Sequence, residues 1–404
     1  MYSYRMPPFH QPTPAEEISA RVRRFQAALD RKSLDAGLIV FPTDLFYFSG
    51  TMQSAHLLVP ARGEPLLMAR RDLSRVRAET SLADVVPLPG FRALPELVAA
   101  RLGGGPRSLG LELDVLPVAR FERYRELWPR TRFLDVSPDI LAQRAVKSEY
   151  ELGLMRRAGD LAHRVYGRIP GLMKEGQTEI ELAGLITSVA YAGGHQNFLR
   201  TRAFDRVTHS WHVIGGESGG ILSYIEAPFG GYGLSPAFPV GASQKVLRSG
   251  EAVLVDFGVC LGGYQVDLTR MFALGRPPER LLEAYQALGR IEAALLARLR
   301  PGATGDELYG LAVTTAGDLG FADAFLGPPG HQVRFVGHGV GLEIDEPPVL
   351  AAGLREPLEA GMTVALELKM VFPGLGAAGL ENTVLVGPGG PEILTPAEDG
   401  FIMV

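Results

Sequence analysis

A seven-residue stretch near the middle of the chain returns 126 positions later, and this self-similarity constrains the fold more than any other feature of the 404 residues. Gly176-Gln177-Thr178-Glu179-Ile180-Glu181-Leu182 reappears as Gly302-Ala303-Thr304-Gly305-Asp306-Glu307-Leu308, and Ala190 and Gly194 reappear as Ala316 and Gly320. Thr178 with Glu181, and Thr304 with Glu307, have the Thr-x-x-Glu spacing of a capping box. There, hydroxyl and carboxylate satisfy backbone amides that a helix leaves unpaired at its start. Two helix-then-strand halves with matching caps imply a duplicated α+β domain with pseudo-twofold symmetry. A site at the junction would draw side chains from both halves.

Isolated charges in the strand-like stretches of this region point to what such a site would hold. Asp256, Asp267, His338, Glu367 and Glu381 each stand in a short apolar or Gly-rich run. Taken singly, a strand Asp reads as a salt-bridge or turn partner, and a His between glycines as structural. Together, four carboxylates that are costly to desolvate require a compensating cation, and hard oxygen donors with one imidazole suit small divalent ions. A hairpin turning about Leu261-Gly262 would set Asp256 directly opposite Asp267. A turn near Gly374 would set Glu367 opposite Glu381. Opposed residues share a face with Cβ atoms roughly 4.5–5.5 Å apart, compatible with two metals about 3.5–4 Å from each other.

Asp256-Phe257-Gly258, Tyr264-x-x-Asp267-x-Thr269-Arg270, Gly337-His338-Gly339-Val340-Gly341 and the two late Glu strands resemble the M24 metallopeptidases. That family includes methionine aminopeptidase, aminopeptidase P and prolidase. Residues 21–50, ending Tyr47-Phe48-Ser49-Gly50, resemble the N-terminal domain of the aminopeptidase P and prolidase branch. Lys147-Ser148-Glu149 followed by Met155-Arg156-Arg157-Ala158 is similar to the helix that opens the family's catalytic domain. The resemblance implies a duplicated pita-bread domain over 146–404, preceded by a smaller α/β domain over 1–145. It also implies two divalent ions, Asp256 and Asp267 on one, His338 on the other, and Glu381 helping to bridge. Mn²⁺ suits this ligation best, with Co²⁺, Fe²⁺ and Zn²⁺ as alternatives. Glu367 would bind metal and take the proton of the attacking water, with Arg270 as support or salt-bridge partner. The implied substrates are short peptides with proline at the second position, and the implied assembly is a homodimer.

The chain departs from the family pattern at three places. One active-site histidine is replaced by Asp345, before Glu346, and the region expected to hold the other reads Gly233-Leu234-Ser235-Pro236-Ala237-Phe238. The usual Glu-Pro-Gly around the first late Glu reads Glu367-Leu368-Lys369. His209 or His212 is the candidate substitute, and Asp345 the candidate acceptor for a substrate amine. Tyr224, in the Gly-rich stretch 215–233 with Phe229 and Tyr232, is a candidate pocket wall. These departures leave two alternatives open: a protein that binds metal and peptide or partner without turnover, and a hydrolase acting on a non-peptide C–N bond.

Ahead of residue 146, an amphipathic helix over 18–34 follows an extended arm over 1–20. A strand over 36–41, a hairpin around Arg62-Gly63 and further alternation to Val136 read as α/β. The cluster Arg21, Arg23, Arg24 reads as a solvated helix face. A net charge of −5 disfavours nucleic acid, and no apolar run reaches a membrane-spanning length. Cys260 is the single cysteine and reads as a packed thiol. With no signal-peptide pattern over 1–14, the cytoplasm is the expected location.

Overall fold

The computed structural model describes residues 4–196, 199–202, 212–396 and 400–404. The chain divides into two units, Met1–Arg144 and Ala145–Val404. In the first, six strands form one mixed sheet: β1 (Ala36–Ile39), β2 (Ala55–Pro60), β3 (Leu66–Ala69), β4 (Val85–Pro87), β5 (Ser108–Leu111) and β6 (Arg132–Asp135). Their order is β4-β3-β2-β1-β5-β6, with β1–β2 and β2–β3 antiparallel and the outer pairs parallel.

The first helix runs Ala15–Arg31, beginning three residues earlier than expected, with Glu16 and Glu17 in the first turn where the helix dipole favours negative charge. Its buried face carries Ile18, Val22 and Phe25, and Arg21 lies among them. Arg21 is therefore not solvated, whereas Arg23 and Arg24 are exposed. Its guanidinium bonds to Glu17 at 2.8 Å, donates to the Tyr47 carbonyl at 2.9 Å and stacks over the Tyr47 ring. Helical spacing turns it inward, and these partners compensate its burial.

In the second unit the repeat is expressed in structure. Thr178 caps the helix Glu179–Ala192 and Thr304 caps the helix Gly305–Asp318, each with a complete capping box. The approach to each helix is tied down by the same pair of bonds: Gly176 N–H to Leu247 O with Leu247 N–H to Gln177 O, and Gly302 N–H to Leu358 O with Leu358 N–H to Ala303 O. A third capping box, Ser148 with Glu151, opens the helix Glu149–Tyr166.

The strands of this unit are β7 (His212–Gly215), β8 (Ala252–Asp256), β9 (Val259–Leu261), β10 (Tyr264–Val266), β11 (Leu268–Ala273), β12 (Phe335–Gly339), β13 (Glu346–Ala351), β14 (Thr363–Phe372) and β15 (Gly376–Gly387). β9 and β10 pair separately. The rest form one sheet in the order β13-β12-β14-β15-β11-β8-β7, with two further short strands alongside β15 and β11. Leu366, Leu368, Val384 and Val386 pack in a core with Leu288, Ile291, Leu308 and Ala312 from the helices Glu279–Leu296 and Gly305–Asp318. Side chains alternate across a strand, so Glu367 and Glu381 project from the opposite face.

Candidate metal centre

Antiparallel registers line up one row of side chains across five strands. Glu367 (β14) stands opposite Glu381 (β15), Glu381 opposite Thr269 (β11), Thr269 opposite Asp256 (β8), and Asp256 opposite His212 (β7). The Glu367–Glu381 pairing is the one expected from a turn at Gly374. The Asp256 pairing is not: Asp256 faces Thr269, and Asp267 falls on the diagonal. The reason is the turn, which is Gly262-Gly263 and not Leu261-Gly262. Both glycines have positive φ, 58° and 89°, the requirement of a type I′ hairpin turn. Moving the turn by one residue displaces the partner by two, so both acids keep to the same face.

A second row lies beside the first. His338 (β12) pairs with Ala365, Ala365 with Thr383, and Asp267 donates its N–H to Thr383 Oγ1 at 2.8 Å. The rows meet at Glu381. Asp267, His338 and Glu381 each offer a ligand atom within 4.8 Å of the others, and so do Asp256, Glu367 and Glu381. The structure thus brings together all five sequence-predicted ligands, and His212 joins them with Nδ1 3.8 Å from Asp256 Oδ2. Buried Glu179 holds the far end of β7 by accepting from Gly215 N–H at 2.7 Å.

Lys369, which sequence reasoning left without a role, reaches the same cluster. It is fully buried on β14, two residues from Glu367 and on its face. Nζ lies 2.6 Å from Thr269 Oγ1, 2.8 Å from Glu381 Oε2, 3.3 Å from Asp256 Oδ2 and 3.8 Å from Glu367 Oε1. Period-two alternation from Glu367 was the signal that could have found it.

The electrostatics divide the cluster. Burial alone would raise the Asp256 pKa, but Lys369 and then His212 outweigh it and hold the carboxyl well below its usual range. Burial would lower the Lys369 pKa, yet Asp256, Glu381 and Glu367 drive it upward. Asp267 is pushed well above the carboxylate range by burial and then by Glu381 and Asp256. The donor set of Asp267, His338 and Glu381 fits a small divalent cation. The fit is poorer for the other triad, whose three carboxylates already face an ammonium.

The remaining candidates are distributed differently. Arg270 is buried and points to the helix-covered face, where it donates to the carbonyls of Thr269 and Glu381 and to Asn382 Oδ1. These bonds brace β11 against β15 from behind the row and suit a positioning residue. Asp345 is half-buried in the turn before β13, whose first residue, Glu346, is bonded to buried Lys147 at 2.8 Å. Tyr224 is 48% exposed, and its neighbours Ser223 and Ile225, not Tyr224 itself, line a cavity of about 610 Å³ with Val333, Phe335 and Val349. The Gly-rich segment therefore walls a cavity, but Tyr224 turns outward. His209 lies outside the described residues. Cys260 is buried, its thiol pushed up to about 11 by burial, as suits a packed group.

Comparison with known proteins agrees with this architecture. Residues 153–388 match the model of metallopeptidase family M24, and residues 21–146 match the creatinase/prolidase N-terminal domain. A probable dipeptidase PepE from Mycobacterium bovis is 28% identical, over 96% of this chain and 94% of its own. An Xaa-Pro dipeptidase from Pyrococcus horikoshii is 25% identical, over 95% and 99%. Among solved structures, an Xaa-Pro dipeptidase from Bacillus anthracis superposes with a TM-score of 0.82 at 23% identity, over 96% of this chain and 100% of that one. The neighbouring structures are pita-bread prolidases, and the second unit has that fold. A chain with these matched segments and this cluster belongs to the M24 metallopeptidases, in the branch that carries a creatinase/prolidase N-terminal domain.

Proposed function

We propose that the protein is a metal-dependent Xaa-Pro peptidase acting on short peptides with proline at the second position. The observation that carries this reading is the convergence of Asp256, Asp267, His338, Glu367 and Glu381 on one face of one sheet. Relatives named as dipeptidases and Xaa-Pro dipeptidases support the substrate class.

A divalent ion on Asp267, His338 and Glu381, with Mn²⁺ the best match to oxygen-rich ligation, supplies Lewis acidity and a more acidic water. The protein's own groups do the rest. Glu367, whose Oε2 lies 4.0 Å from His338 Nε2, is the group assigned to take the proton from the attacking water. As the C–N bond to proline breaks, that proton passes to the departing nitrogen. Asp345, where the resemblance leads one to expect histidine, is assigned to hold the free amino group of the substrate. His212, the imidazole at the β7 end of the row beside Asp256, is assigned as the substitute for a missing histidine. The resemblance further supports a homodimer, which light scattering after size-exclusion chromatography tests. With a single cysteine the chain has no internal disulfide to form, which suits a reducing, cytoplasmic setting.

The test is cleavage of Ala-Pro, Gly-Pro, Ala-Pro-Ala and a proline-free control by Mn²⁺-loaded protein, read by mass spectrometry beside Asp267→Asn. Proline-dependent cleavage lost in the variant supports the reading. Folded, metal-loaded protein that leaves every peptide intact refutes it. That outcome would favour the second reading, a protein that binds metal and peptide without turnover, which the presence of Lys369 within the ligand cluster specifically supports.

A further inference from the structure

We propose that Lys369 is a built-in cation standing in for one of two divalent ions, so that the centre takes a single ion per chain, on Asp267, His338 and Glu381. The inference rests on the metal centre of the reading above but not on peptide cleavage.

The five ligands contain two overlapping triads that share Glu381. Every member of the triad Asp256, Glu367 and Glu381 has a carboxylate oxygen within 3.8 Å of Lys369 Nζ. An ammonium has three protons to donate and no lone pair. Here three acceptors stand within 3.3 Å: Thr269 Oγ1, Glu381 Oε2 and Asp256 Oδ2. Glu381 Oε2 in turn accepts from both Lys369 and the Thr269 hydroxyl, at 2.8 and 2.7 Å, which uses both of its lone-pair positions. Ligating an ion through that oxygen would break one of these bonds. Glu381 Oε1 carries neither and remains for the ion shared with Asp267 and His338.

The lysine has no easy way out. It stands opposite Gly379, where an added Cβ would lie 2.9 Å from Lys369 Cδ and 2.7 Å from Leu254 Cδ1. The stem therefore fills the space that a side chain at 379 would take, walled by Leu254 and Thr269. Swinging the head away would leave an ammonium unpaired in that enclosed site, a costly arrangement. A second divalent ion on the same oxygens would also sit beside a fixed positive charge.

The test counts ions. Metal-free protein is dialysed against graded excesses of Mn²⁺, bound manganese is measured by plasma mass spectrometry, and the saturated sample is examined by electron paramagnetic resonance. The expected result is one Mn²⁺ per chain with the six-line spectrum of an isolated ion. Two ions per wild-type chain, with an exchange-coupled spectrum, would overturn the proposal, as would none. Lys369→Ala is expected to gain a second, coupled ion, and a folded variant that still binds one would also overturn it. Should the variant fail to fold, the wild-type count decides alone. Cleavage with two ions bound refutes only the lysine assignment, and one ion without cleavage refutes only the peptidase reading.

Discussion

Replacing Lys369 by Met keeps an unbranched stem over Gly379 but removes the ammonium from three carboxylates. Glu381 is the deepest of these, with its side chain 2% exposed and 2.8 Å from Nζ; Asp256 and Glu367 are 16% and 15% exposed, at 3.3 and 3.8 Å. Breaking a buried ion pair by deleting one partner typically costs about 3–5 kcal/mol, because the remaining charge stays buried and unpaired. Most of that loss falls on Glu381, since its neighbours are partly reached by solvent. In a chelator, Lys369→Met should therefore lower the local opening free energy of β14 and β15 by about 3–5 kcal/mol. If the variant accepts an ion where the ammonium stood, Mn²⁺ at about 100 times Kd should return ~2.7 kcal/mol. The chain has two units that need not unfold together, so the assay is hydrogen exchange in peptides covering these strands, with and without Mn²⁺. A loss below about 1 kcal/mol in chelator, or the same gap to wild type with and without Mn²⁺, would refute the reasoning.

Gly379→Ala should destabilise the second unit by about 1–3 kcal/mol through overpacking against Leu254, Lys369 and Thr269, and a cycle with Lys369→Ala should show coupling above about 0.5 kcal/mol. In the first unit, burial and then Arg120 and Arg70 hold the His56 pKa down at about 3, so the unfolded chain takes up its proton first. Stability at His56 is therefore full above the ordinary pKa near 6.5 and falls by about 1.4 kcal/mol per pH unit below it, towards about pH 3. His56→Gln should flatten that part of the urea-denaturation profile, and an unchanged slope would count against the shift. Thr178→Ala and Thr304→Ala should each cost about 1 kcal/mol by thermal denaturation, since each removes one complete capping box. A large inequality between them would show that the two halves do not use their caps alike.

What could be read in the chain was what local rules govern. A capping box is contained within four residues, so both helix starts were legible, and the Gly374 turn set Glu367 opposite Glu381 without reference to anything distant. The Asp256–Asp267 hairpin shows where this fails. Leu261-Gly262 and Gly262-Gly263 are adjacent ways to turn, and choosing between them depends on which residues accept positive φ; Gly263 at 89° decides it. Lys369 was hidden for a different reason. Its sequence neighbours mark only a departure from a motif, whereas its role depends on Thr269 and Asp256, which reach it through the pairing of three other strands. Arg21 is illegible for a similar reason: its charge suggests solvent, but its helix face is buried and its partner, Tyr47, lies 26 residues away.

The centre also depends on the face of the sheet that carries no ligands. A slip of β11 by one residue along β15 would send Thr269 to the helix-covered side and bring Arg270 into the row beside Glu381. The hydrophobic pattern alone guards weakly against this, since polar groups occupy both faces at that point. Arg270 provides the discrimination. Its guanidinium binds the carbonyls of Thr269 and Glu381 on both strands and Asn382 Oδ1, while Asn382 Nδ2 donates to Glu292 on the helix Glu279–Leu296. In the slipped register Arg270 would lose these acceptors and stand charged beside Lys369, so the alternative is disfavoured twice, by an unpaired buried cation and by like-charge repulsion. The buried arginine on one face thus fixes which carboxylates, and which single lysine, meet on the other.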